Sequence, residues 1–592
     1  MGSTFSGQTS LPKMPVPELS DTCYKFIEWS KPLLTKQEAI ETNKVVQQFL
    51  EPGAEGEQLQ KQLHHWSETE PVGNWSAPAW QNLYLQSRSP LVINSNVFYY
   101  LKSKLDEQRC SQAHIAAALI STVYDFIALL ENKQLTPDRQ KTSPLCMNQY
   151  KNLFSSIRIP CQTTDNFHVF SEKKHIIVLH NQSIFTVDIL DGQGNRQSAS
   201  SIKRQLERIL SNTQQGQNLG LLTTLNRDDW AETRTKLLDL SADNVEKMQQ
   251  IEQAAFAICL DQNSPEQLID ISKQCLHGSG IDRFFDKSLQ FIVFKNGKTG
   301  INFEHTGVDG SVMLRLIAHI YDTIDTISFE TNLTCLPSDD LLKQQTKSLL
   351  FDLNDHLHQK IQSAIPAFHT HITNTHTCIL DFDYFGKQKI KTFKVSPDAF
   401  VQLALQLAEY KLYGQCYSAY EAVMTRTFLD GRIDVLYTVS PESLAFIQHI
   451  QSNDSSQETT AKALVEATRK HTARANECRQ GKGVHTHLLA LKYCYQLAGE
   501  ELGINTLPTL FSDKGYQALT ESVVCTSTTS EYGVELAGYG PIVDHGFGIR
   551  YFVRDNSICF NMTSRTKLQA DLDKMTLYIE QALLEMAEIM AS

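Results

Sequence analysis

The chain has 592 residues, more than one hydrophobic core usually serves, so at least two domains are expected. Hydrophobic residues make up 41% and charged residues 20%, which excludes a disordered chain. A formal net charge of −12 argues against general nucleic-acid binding and leaves room for a local basic site that holds a phosphorylated cofactor. Thirteen cysteines lack any Cys-x-x-Cys pair or metal-ligand spacing; they favour reduced thiols in a cytosol-like compartment, and a cytoplasmic location is the expectation. Residues 1–8 are polar and lack the apolar core of a signal peptide, and the last residues are not a peroxisomal address. With no run of about 18 apolar residues, no transmembrane helix is expected.

Prolines make residues 11–22 an extended entry segment. Residues 23–50 then read as helical until the Pro52-Gly53 break. Residues 98–130 read as mostly helical and 175–179 as a strand, and Asp228 and Asp229 favour a helix start. This alternation implies α/β layering. Residues 289–294 form an apolar run that reads as a buried strand. A turn carrying Asn296-Gly297 follows, then a second strand over 299–303. His305 falls just past that strand, and Asp309-Gly310 opens a helix running to Ile320. A histidine at a strand end is well placed to face a cleft, and its near-neutral pKa suits proton abstraction from an alcohol. Residues 351–369 read as a connecting helix. Its histidines (His356, His358, His369, with His371 just beyond) have no carboxylate or thiol companions at ligand spacing, so no metal site is expected. A strand over 379–385, a basic loop with four lysines over 386–394 and a helix over 399–413 follow, and the chain ends in a helix over 567–590.

The block Arg283-Phe284-Phe285-Asp286-Lys287-Ser288-Leu289-Gln290, with the hairpin and Glu304-His305 behind it, resembles the central block of the choline/carnitine O-acyltransferase family. The wider CoA-dependent acyltransferases share the His-x-x-x-Asp-Gly element. The resemblance runs from Leu11 to the last helix. It implies an α/β fold of two domains similar to chloramphenicol acetyltransferase, one over 72–353 and one over 1–71 with 354–592, and an active-site tunnel at their interface. By resemblance His305 is the general base, and Asp309 holds the loop more than it takes a proton. Coenzyme A enters as co-substrate; Lys387 and Lys391 match the lysines at its phosphates, Lys394 is a further candidate, and Asp398 closes that loop or touches the pantetheine–adenosine side. Cys525-Thr526-Ser527-Thr528 stands where the family has Ser-Thr-Ser, so Ser527 inherits the bond to the tetrahedral oxyanion and Cys525 replaces the first serine. The implied mechanism is direct attack of the alkoxide on the thioester. Cys525 as a nucleophile is the rival, and a non-catalytic acyl-CoA-binding homologue is the reading from another class.

The same resemblance addresses the substrates. Tyr420-Glu421, with Arg426, Phe428 and Gly431-Arg432-Ile433-Asp434 after it, resembles the family's acceptor-site block, where aromatic rings can hold a quaternary ammonium. Tyr84, Thr528 and Tyr539 are further substrate-binding candidates. Ala537 stands where short-chain members carry a bulky residue; with Gly538 behind it, room beyond an acetyl group is expected. Carnitine-using relatives meet the carboxylate with an arginine and threonines; here those positions are Thr486, Ile433 and Val435. Leu83 stands where choline-using relatives have a larger side chain. Choline is therefore favoured over carnitine as acceptor, with carnitine or another alcohol as the alternative, and Lys482 or His485 as replacement cations. A monomer is expected.

Overall fold

The computed structural model describes residues 3–69, 73–329, 345–452 and 454–591. Two β-sheets organise the chain. The eight-stranded sheet runs in the spatial order Thr346–Ser348, Ser183–Asp188, His175–His180, Ala257–Asp261, Leu289–Phe294, Thr299–Phe303, Val97–Leu101 and Val534–Tyr539. Its middle three strands, His175–His180, Ala257–Asp261 and Leu289–Phe294, are parallel neighbours, and all other pairs are antiparallel. The six-stranded sheet runs Thr375–Phe382, Ile558–Arg565, Phe547–Val553, Val524–Thr528, Ala419–Met424 and Ile433–Tyr437.

The first sheet is buried on both faces, which is why every residue of Leu289–Phe294 is buried and all but Gln290 are apolar rather than alternating. One face packs against the helices Gln112–Glu131 and Gly310–Thr323. By length and apolarity Gln112–Glu131 passes as a membrane span, yet 72% of its most apolar window is buried inside the protein, as befits a core helix. The other face packs against Leu268–Leu276 and Asp355–Thr373. The second sheet is covered by Pro397–Tyr413 and Gln569–Ala591.

Several expectations need correction. The stretch 23–50 is two helices, Leu19–Ser30 and Lys36–Phe49: the chain turns at Lys31-Pro32, and Thr35 restarts it through a capping box with Glu38. Residues 98–130 begin with the strand Val97–Leu101, whose continuous apolar run cannot be told from a helix by periodicity. The expected basic loop over 386–394 contains a short helix, Lys387–Thr392.

The division of the chain at 71 and 353 also shifts in space. Trp80 and Tyr84, on Ser76–Leu85, pack into the cluster formed by the N-terminal helices and Val484–Ala498. Leu357, Ile361 and Phe368, on Asp355–Thr373, pack into the core of the first sheet. Most consequentially, the strand Val534–Tyr539 leaves the second segment and pairs with Val97–Leu101 at the edge of the first sheet. That edge would otherwise expose unpaired backbone groups.

The crossing strand admits no side chain at Gly538. A Cβ there would lie 2.1 Å from Asn561 Nδ2 and 2.6 Å from Phe98 Cε1. The space beside Gly538 is thus filled by Asn561 and Phe98. Gly538→Ala is expected to destabilise by about 1–3 kcal/mol through overpacking. Urea unfolding measures this; an unchanged midpoint means the two sheets separate freely at this strand.

Candidate active site

The hairpin Leu289–Phe294/Thr299–Phe303 delivers the chain to Glu304 and His305 at the seam of the two sheets. Its turn works because Gly297 adopts φ +89°. Glu304 is buried and folds the loop back, accepting from Thr306 Oγ1 at 2.6 Å and Thr306 N at 3.1 Å. Behind it lies a buried ionic lattice. Arg158 donates to Asp165 at 2.8 Å and lies 3.5 Å from Glu304. Arg227 bridges Asp165 and Asp286, each at 2.6 Å, and Trp230 Nε1 donates to Asp286 at 2.6 Å. Asp286 comes from the Arg283–Gln290 block, so that block sets the platform under His305.

The His305 imidazole stacks on Tyr84, ring centroids 5.5 Å apart at 23°, and meets Phe303 at 5.5 Å. Its side chain keeps 21% exposure, and Nδ1 lies 3.7 Å from Asp309 Oδ1. Burial lowers its pKa below the usual histidine value, with Arg432 adding to the effect and Asp309 opposing it. The ring is therefore neutral near pH 7 and able to accept a proton.

Asp309 is committed elsewhere. Arg432 Nη2 donates to Oδ1 at 2.8 Å, Gln149 Nε2 donates to Oδ2 at 2.8 Å, and Gln149 Oε1 accepts from Asp309 N at 2.8 Å. Burial would raise this carboxyl, but the guanidinium overrides it and holds the pKa below the carboxylate norm. The same guanidinium donates to the backbone oxygens of His305, at 3.0 Å, and Thr306. Asp309 thus has the geometry of a loop anchor.

The second sheet brings the other half. Tyr84 shares an electrostatic environment with Asp309, Glu304, Arg432 and Cys525, which joins the two sets. Tyr420 and Cys525 are register partners, and the hydroxyls of Tyr420 and Tyr539 both lie against the Cys525 thiol. Burial pushes that thiol up to about 11, so it carries little thiolate at neutral pH, which weighs against the rival nucleophile. Ser527 Oγ accepts from Arg550, and Thr528 Oγ1 donates to the backbone of Tyr551 at 2.9 Å.

Ile433 directly follows Arg432 and is half-buried, whereas Val435 packs into the apolar cluster with Leu436 and Val484. Ala537 is fully buried against the first core. Thr486 is buried and engaged: its backbone N donates to Asp434 Oδ1 at 3.2 Å, and its hydroxyl to the same oxygen. Burial raises Asp434 to about 6. Leu83 is 46% exposed on Ser76–Leu85 and lies apart from its neighbour Tyr84 in burial.

Of the proposed replacement cations, Lys482 is exposed and half-buried His485 is held neutral, its pKa lowered by desolvation to about 4.

The lysine segment lies at the surface. Lys387 and Lys391 share one face of their helix, and Lys387 pairs with Asp555 at 2.9 Å. Lys394 is exposed in a left-handed conformation, φ +60°. Asp398 is turned inward and does not sit with the lysines. It accepts from Tyr551 at 2.6 Å and faces His471 at 3.6 Å. Burial opposes charge on His471, but the carboxylates of Asp398 and Glu421 beside it, at 3.6 Å and 3.3 Å, override it and raise its pKa.

A family profile described as Choline/Carnitine o-acyltransferase matches residues 14–581. The chain belongs to that family. Carnitine O-acetyltransferase of Columba livia is 32% identical over 99% of this chain and 94% of its own length. Choline O-acetyltransferase of Homo sapiens is 30% identical over 99% and 80%. The mitochondrial carnitine O-palmitoyltransferase 2 of Homo sapiens is 31% identical over 95% and 89%. This acyltransferase accordingly uses acyl-CoA as the acyl donor and is an enzyme of the choline/carnitine O-acyltransferase class.

Sequence reasoning missed Gln149, which carries no motif, and Arg550. Arg432 stood inside the Gly-Arg-x-Asp block without a role; the only signal was a lone basic residue next to a strand of acceptor positions. Arg432→Met is expected to cost about 3–5 kcal/mol, because it strands a buried carboxylate. It is also expected to lower kcat by releasing the His305 loop. Stability near wild type with full activity would show that Asp309 needs no partner.

Proposed function

We propose that this acyltransferase moves an acyl group from acyl-CoA to choline, or to another alcohol that lacks a carboxylate, in preference to carnitine. One observation carries the choice: position 486 is a threonine already bound to the carboxylate of Asp434. The arginine nearest His305, Arg432, is consumed by Asp309 and two backbone oxygens. A carnitine carboxylate would therefore meet an acid and no free guanidinium. A trimethylammonium group, by contrast, finds the aromatic surfaces of Tyr84, Tyr420 and Tyr539 and the negative charge of Asp434. The names of the relatives span both acceptors, and the carnitine enzymes stand as the second reading.

In this mechanism neutral His305 removes the hydroxyl proton as the alkoxide attacks the thioester carbonyl. Ser527 donates to the oxyanion. The intermediate then expels the CoA thiolate, which takes its proton back from His305. Lys391 and Lys394 supply exposed positive charge for the CoA phosphates, with half-buried Lys387, paired with Asp555, on the same helix as Lys391. A residence in the cytoplasm and action as a monomer accord with this reading.

Thiol release with a panel of acceptors tests the choice. Loss of a charge-assisted carboxylate bond costs about 1.5–3 kcal/mol, so choline is expected to exceed carnitine in kcat/KM by about tenfold or more. Thr486→Arg with Ile433→Thr is expected to narrow that gap. Turnover with carnitine and none with choline would overturn it.

The base is tested by pH. A histidine must be unprotonated to act, and the His305 pKa is lowered, so kcat/KM is expected to stay flat through pH 7. It falls only below the ordinary histidine value of about 6.5. His305→Ala is expected to abolish turnover at every pH while leaving the melting temperature unchanged.

A further inference from the structure

Eight arginines are buried among the described residues. Seven of them face a carboxylate: Arg158 and Arg227 share Asp165, Arg426 has Asp138, Arg432 has Asp309, and the remaining three are likewise paired. Arg550 is the exception. It is 5% exposed, and its guanidinium donates through Nη1 to Ser527 Oγ and through Nη2 to Thr529 Oγ1, both uncharged. Its Nε is buried with no acceptor. The rings of Tyr99 and Phe552 flank it, each 5.8 Å from Cζ. Four residues along the same chain, Arg554 pairs with Glu531 and Glu535, so carboxylates are at hand in this region and Arg550 is held away from them.

A buried cation without a counter-ion is costly, and it is retained where an anion arrives. The anion that arrives here is the one the reaction makes. Ser527 and Arg550 are register partners on adjacent parallel strands, so the guanidinium is fixed by the sheet. By filling a lone pair of Ser527 Oγ, Arg550 turns the Ser527 proton outward and makes it a stronger donor. We propose that Arg550 is the positive charge of the oxyanion site, acting through Ser527 as a positioning residue. This rests on the assignment of Ser527 to the oxyanion. As the alkoxide adds, the carbonyl π pair moves to oxygen, and the new charge is met by the Ser527 hydroxyl with the guanidinium behind it. Arg550 gives up no proton, and when the C–S bond breaks the carbonyl re-forms and the charge leaves with the thiolate. The missing anion is then present only at the barrier, which is the condition for lowering it.

The test is a double-mutant cycle in the full-length enzyme, using acetyl-CoA and whichever alcohol turns over fastest, so the result is independent of the choline assignment. Arg550→Met is expected to lower kcat by about 10²-fold with the acyl-CoA KM within about threefold. Arg550→Lys, which keeps the charge, is expected to recover part of the loss. In the Ser527→Ala background Arg550→Met is expected to cost about threefold or less, because the relay is already cut. A role confined to packing would lower the melting temperature and would not depend on Ser527. If Arg550→Met does not fold, Arg550→Ala supplemented with free guanidinium replaces it, and recovery of kcat is the expected result. The proposal is overturned by kcat of Arg550→Met within twofold of wild type, by a full 10²-fold loss persisting in Ser527→Ala, by no guanidinium rescue, or, with succinyl-CoA in place of acetyl-CoA, by a defect confined to KM for succinyl-CoA. The last would assign the guanidinium to an acyl carboxylate. Full turnover by Ser527→Ala would remove Ser527 from the oxyanion site and this inference with it, leaving the His305 assignment standing.

Discussion

The buried pair between Arg432 and Asp309 is the contact on which the site depends. Arg432 enters the second sheet at the start of Ile433–Tyr437, and Asp309 ends the His305 loop of the first. Their bond places a strand of acceptor-facing residues against the proton acceptor. The guanidinium also fixes the His305 and Thr306 carbonyls, so one side chain sets both the anchor and the backbone of the loop. Neither charge is accessible enough to be replaced by water, so the geometry is kept or lost as a unit.

Around that contact the seam is reinforced by covalent continuity. Val534–Tyr539 carries the chain from Ser527 across to the first sheet, pairing beside the strand that neighbours the His305 hairpin. Arg426 adds a second clamp, donating to Cys146 O at 2.7 Å and Asp138 at 2.7 Å. The ionic lattice of Arg158, Asp165, Arg227 and Asp286 stiffens the floor beneath the loop. Acyl transfer by direct attack gains from such rigidity, since base, acceptor and oxyanion donor must be aligned together.

The electrostatics divide the site by task. Burial favours a neutral His305 and a protonated Cys525, which suits the first to accept a proton and weighs against the second as a nucleophile. The acceptor side carries Asp434, with Thr486 bound to it, where a carboxylate-binding guanidinium would otherwise stand. Arg550, the one buried arginine of the described residues without a carboxylate, sits behind Ser527.

The residues by themselves determined the α/β class, the hairpin before His305, and the helix beginning at Gly310. Each rests on local rules: a continuous apolar run, an Asn-Gly turn, and an acid before a glycine. The His-x-x-x-Asp-Gly spacing singled out His305 and Asp309, and the family resemblance added Ser527 as a candidate. Only the tertiary structure decided that Val534–Tyr539 belongs to the first sheet, because strand pairing across more than 400 residues leaves no local pattern. Only it showed that Asp309 belongs to Arg432 and Gln149, that Asp398 turns inward to His471, and that Leu83 faces solvent while Tyr84 stacks on His305. A charge in sequence has no partner; its partner, and with it the pKa and the role, comes from which surfaces the fold brings together.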